Sequence, residues 1–87
     1  MNSPQRANVH PTAEADADIV IPASARVWHQ AQVRTGAVLG ENCVVGKGAY
    51  VGPGVVMGDN CKLQNYALVY EPARLGQGVF VGPAAVF

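Results

Sequence analysis

Few side chains in this 87-residue sequence are equipped for chemistry, and they gather in a few short stretches. The two histidines are His10 and His29, and the two cysteines are Cys43 and Cys61. An imidazole titrates near neutrality, so His29 is a candidate to accept a proton from an attacking nucleophile. The carboxamide of Asn65 is a candidate to orient a substrate or polarise a carbonyl. Near these two in the spacing described next stand Trp28, Lys47, Gln64 and Tyr66, all suited to binding a polar ligand. Tyr70 and Glu71 form a second set of binding candidates.

What groups these residues is a strict six-residue period. An apolar residue recurs every six positions from Val9 through Val27, Val45 and Leu63 to Phe87, and none of these positions fails. Two residues before each lies a second apolar register, from Ala13 through Ala31, Ala49 and Ala67 to Ala85, in which most side chains are small. Small, any, large over three residues is a short strand with its first and third side chains on one face. The remaining three residues must turn, and they are rich in Gly and Asn, which tolerate positive φ. Gly at 40, 46, 52, 58, 76 and 82 and Gly or Asn two residues later are both read here as serving that need. Three such units close an 18-residue triangular coil, and coils stack by parallel pairing at about 4.8 Å. The expected fold is all-β: a parallel β-helix of about four coils over residues 9–87, preceded by a tail at 1–8.

Residues 18 apart then share a corner. One column holds His10-Pro11-Thr12, Trp28-His29-Gln30, Gly46-Lys47-Gly48, Gln64-Asn65-Tyr66 and Gly82-Pro83-Ala84, and it departs furthest from plain turn composition. His29, Lys47 and Asn65 take the same corner position in successive coils, which puts His29 and Asn65 about 10 Å apart. Exposed corners also accept polar residues for no reason but solubility, and Trp28 could simply cover the coil edge. Tyr70 and Glu71 belong to a different column, with Arg34 and Pro53.

Bulk composition narrows the partners. Six Lys and Arg balance six Asp and Glu, so no field of one sign exists to attract nucleic acid or an anionic membrane. The opening Met-Asn-Ser-Pro-Gln-Arg-Ala-Asn has no apolar core for a signal peptide, and no apolar run approaches bilayer length; the expected compartment is the cytoplasm. Cys43 and Cys61 both fall in the small inward register one coil apart, where a small hydrophobe needs neither metal nor oxidant. Gly46-Lys47-Gly48 lacks the four free positions and Gly-Lys-Ser/Thr of a phosphate loop.

The hexads, as in Leu39-Gly40-Glu41-Asn42-Cys43-Val44 and Met57-Gly58-Asp59-Asn60-Cys61-Lys62, resemble those of the hexapeptide-repeat acyltransferase family. That resemblance implies a left-handed coil, an exception to the usual crossover hand. Arg26-Val27-Trp28-His29, Leu63-Gln64-Asn65, Val69-Tyr70 and Val79-Phe80-Val81-Gly82-Pro83 together look like the branch that acetylates the 3-amino group of UDP-2-acetamido-3-amino-2,3-dideoxy-glucuronate. Tyr66 stands where a second Asn is common. A related branch acting on dTDP-3-amino-6-deoxysugars shares the coil but typically lacks the Trp-His and Gln-Asn pairs. The resemblance implies acetyl-CoA as cosubstrate, no metal, a nucleotide-linked amino sugar as acceptor, and clefts between the subunits of a homotrimer. It carries over His29, Gln64 and Asn65. Family members continue for several coils beyond the position of Phe87, so the chain reads as C-terminally truncated.

Two other readings stay open at this point. One is a non-catalytic β-helical fragment that trimerises or stacks. The other is a zinc hydratase of the γ-carbonic-anhydrase kind, which needs three His ligands where this sequence has His10 and His29, at different corner positions. Outward-facing residues suggest how copies would meet: Val20, Val38 and Val56 make an aliphatic ridge on one face, and Tyr50 and Leu68 lie on an adjoining face.

Overall fold

The computed structural model describes residues 8–87, and every regular element in it is a two-residue parallel strand. Among those residues there is no helix, hence none long and apolar enough to cross a membrane. Numbered in chain order, the strands sort onto three faces. The first face stacks β1 (Glu14–Ala15), β3 (Gln32–Val33), β5 (Tyr50–Val51) and β8 (Leu68–Val69). The second stacks β2 (Arg26–Val27), β4 (Val44–Val45), β7 (Lys62–Leu63) and β10 (Phe80–Val81). On the third, β6 (Val56–Met57) pairs with β9 (Arg74–Leu75), and bridges Val20–Val38 and Val38–Val56 continue the stack. Every partner is 18 residues away, as in Gln32 with Tyr50 and Val44 with Lys62. This is a left-handed parallel β-helix of about four turns.

Both apolar registers point inward. Ala31, Ala49, Cys43, Cys61 and Ala67 are fully buried, as are Val33, Val45, Val51 and Val69. The small register lets three strands approach in a narrow triangle, and the larger one fills the axis. At the ends the rule weakens. Ala15 is exposed and Phe87 is 57% exposed, because a terminal rung has no coil stacked on one side. At the other margin Asn8, assigned to the tail by the sequence pattern, is tied in: its Nδ2 donates to the carbonyls of Pro22 and Ala25 at 2.9 and 2.7 Å. Its carbonyl accepts the Val27 N–H at 3.0 Å. The rest of the 1–8 tail lies outside the described residues.

The corners correct one part of the sequence argument. Positive φ falls on the third corner position only, at Gly36, Gly48, Gly54 and Gly78 and at Gln30, Asn42, Asn60, Tyr66 and Ala84. The first-position glycines do not adopt it; at Gly40, Gly46, Gly52 and Gly58 the constraint is proximity, whereas Gly76 and Gly82 have open space where a Cβ would be. A Cβ on Gly46 would come within 2.8 Å of the Leu63 carbonyl and 2.9 Å of the Asn65 nitrogen in the next coil. Trp28, Gln64 and Tyr70 nonetheless carry side chains at this position.

Candidate active site

The corner after β2 (Arg26–Val27), β4 (Val44–Val45) and β7 (Lys62–Leu63) is built by hydrogen bonds that pass from coil to coil. Gly48 N–H donates to the His29 carbonyl at 2.9 Å, Tyr66 N–H to the Lys47 carbonyl at 2.8 Å, and Ala84 N–H to the Asn65 carbonyl at 3.0 Å. That ladder sets His29, Lys47 and Asn65 one above another, as their 18-residue spacing predicts. All three are exposed. Asn65 is held by its own side chain: Oδ1 accepts the Lys47 N–H at 3.0 Å. With the oxygen engaged, the Nδ2 amide is the end available to a ligand, and it can only donate.

Tyr66 is positioned by a missing side chain. Its own φ is 62°, and its ring lies over Gly48 so closely that a Cβ there would sit 2.3 Å from Cε1. The ring is half exposed, as is Trp28. Trp28 runs nearly parallel to the His29 imidazole, with ring centroids 6.4 Å apart. Gln64, at the Trp28 position two coils further on, is half-buried. The corner therefore offers a donor amide, an imidazole, an ammonium and two aromatic faces on one exposed edge.

His10 belongs to the same corner column by its 18-residue spacing, yet it is not among the site residues the sequence points to. His10 stacks face to face on His29, with centroids 3.7 Å apart and planes 30° apart. The two occupy different corner positions, so sorting by equal position separates them, whereas side chains reach diagonally across coils. Tyr70 and Glu71 are at another corner, as their column requires. Tyr70 packs against Tyr50 with ring centroids 5.3 Å apart, and two coils away in the same column Arg34 forms ion pairs to Glu14 and Asp16 at 3.5 and 3.4 Å. One chain does not bring that pair to His29.

The cysteines lie in the core, fully buried and free. Each thiol donates to a carbonyl, Cys43 to Gly58 at 3.1 Å and Cys61 to Gly76 at 2.9 Å. Burial pushes the Cys43 thiol above its ordinary pKa, against smaller opposing hydrogen bonds, which keeps it protonated and unreactive. Both thiols should therefore resist a polar alkylating reagent in the native protein and label readily in denaturant; rapid native labelling of either, read by mass spectrometry, contradicts the inward register. Among the described residues no group of three or more His, Cys, Asp or Glu stands together to hold a metal.

Comparison with known proteins agrees with this architecture. A family model described as the hexapeptide repeat of succinyl-transferase matches residues 36–66. No curated protein matches the sequence. Among solved structures, the chain is similar to a histidine-to-asparagine mutant of perosamine N-acetyltransferase from Caulobacter crescentus, in complex with CoA and GDP-perosamine. The TM-score is 0.65 and the identity 19%, over 90% of this chain and 43% of that one. The chain thus spans less than half the length of that enzyme. What the repeat match and the superposition show together is a hexapeptide-repeat β-helix, a fold shared with an N-acetyltransferase of an amino sugar.

Proposed function

We propose that this chain is part of an N-acetyltransferase that moves the acetyl group of acetyl-CoA to the amino group of a nucleotide-linked amino sugar, in the synthesis of cell-surface polysaccharide precursors in the cytoplasm. The observation that carries the reading is the His29–Lys47–Asn65 column, flanked by Trp28, Gln64 and Tyr66, on a repeat fold shared with a structure that holds CoA and GDP-perosamine. The acceptor nitrogen attacks the thioester carbonyl, the C–S bond breaks, and CoA leaves as the thiol. His29 takes the proton the amine loses and hands it to the departing sulfur, which makes the leaving group a thiol, and the Asn65 Nδ2 donates to the sugar or to the carbonyl oxygen as charge develops there. Lys47 faces the phosphates of the nucleotide, and Trp28, Gln64 and Tyr66 hold sugar or base. No metal enters this chemistry.

The finer proposal is that the acceptor is UDP-2-acetamido-3-amino-2,3-dideoxy-glucuronate, to which the Trp28-His29 and Gln64-Asn65 pairs point by resemblance. Acetylation of UDP- and GDP-linked amino sugars by the intact protein should be compared. A kcat/KM highest for the UDP-linked 3-amino acid supports the reading, preference for another nucleotide amino sugar removes the finer part, and transfer to none overturns the whole.

The working form is a homotrimer, in which Tyr70 and Glu71 of one subunit can approach the His29 corner of the next. Val20 is 53% exposed, and Val38 and Val56 above it are half-buried, a continuous aliphatic strip on the third face. Burying a Val side chain contributes about 1.5 kcal/mol or more. Val38→Lys with Val56→Lys should shift the protein to monomer in sedimentation equilibrium; an unchanged trimer moves the interface elsewhere.

A further inference from the structure

We propose that His10 is a positioning residue, one that fixes the plane of the His29 imidazole through the stack between them; this rests on the reading of His29 as the base. His10 is itself anchored. Its backbone N–H donates to the Val27 carbonyl at 2.9 Å, and its Nδ1 accepts the Thr12 N–H at 3.1 Å. The same Nδ1 is 2.9 Å from Thr12 Oγ1, which accepts the N–H of Gln30 at 3.0 Å. An Nδ1 that accepts carries the lone pair, so the ring proton of His10 is on Nε2. The link through Thr12 joins His10 to the residue that follows His29, and Gln30 there has a φ of 58°.

His29 lacks comparable restraint. Among the described residues its side chain has no hydrogen-bond partner, and it is exposed. An exposed imidazole samples several rotamers, and a base must point at the proton it abstracts. The surface that limits His29 is the His10 ring at 3.7 Å, with the Trp28 ring more distant at 6.4 Å. His10 thus acts through His29 and needs no contact with substrate.

The test uses His10→Ala and His10→Phe in the intact protein, with His29→Asn as control. The ring-proton resonances of His29 should lose their ring-current shift in His10→Ala and keep one in His10→Phe, which retains a flat partner. Turnover should fall about 10- to 100-fold in His10→Ala with KM for both substrates nearly unchanged, and recover most of the loss in His10→Phe. Unshifted His29 resonances, or full turnover in His10→Ala while His29→Asn is inactive, overturn the inference and leave the base in place. Turnover that survives in His29→Asn removes the base reading, and the inference falls with it.

Discussion

Replacing His29 with Ala or Asn in the intact protein should lower kcat by about 10² to 10⁴-fold, the range that loss of a positioned general base produces. The amine of an amino sugar must shed a proton as it becomes an amide, and His29 is the imidazole that shares this corner column with the Asn65 amide two coils away. Because the side chain is exposed and makes no hydrogen bond among the described residues, the substitution should leave the fold intact, and far-ultraviolet circular dichroism and urea unfolding should not change. The loss should appear in kcat more than in KM, since proton transfer belongs to the transition state. Turnover close to wild type at neutral pH would reduce His29 to a binding group.

A comparable effect on stability is expected from Leu63→Ala. Leu63 lies on β7 (Lys62–Leu63), is 1% exposed, and sits between Val45 of one coil and Val81 of the next. In a solenoid each rung rests on its neighbours, so a void there weakens two interfaces at once. The expected cost is about 2–5 kcal/mol in urea unfolding. Its neighbour Lys62 faces outward, and Lys62→Ala should change stability by less than about 0.5 kcal/mol. Equal effects from the two would mean that the period has been assigned to the wrong face.

The six-residue period made most of the fold legible. It placed Cys43 and Cys61 inward, set every strand pair 18 residues apart, and predicted the His29, Lys47 and Asn65 column that the backbone ladder forms. It could not separate two demands on corner residues, because Gly answers both: positive φ at Gly48 and a close approach of backbone at Gly46. Nor could it show the His10–His29 stack. A period states which residues share a position, whereas contact depends on how far side chains reach along the axis, and His10 reaches to the position beside its own 18-residue partner, Trp28. The exposed rungs at Ala15 and Phe87 follow from the same limit, since a repeat pattern does not record whether another coil lies above it.

The central claim, amide formation on a nucleotide-linked amino sugar, is tested most directly by mixing the intact protein with acetyl-CoA labelled with carbon-13 at the carbonyl and the amino-sugar acceptor, and following the label by NMR. The account predicts that the thioester carbonyl resonance disappears as an amide carbonyl resonance grows on the sugar nitrogen, and that His29→Asn slows this conversion by orders of magnitude. A thioester resonance that persists beside an intact acceptor, or a label that arrives as an ester on a sugar hydroxyl, would contradict it.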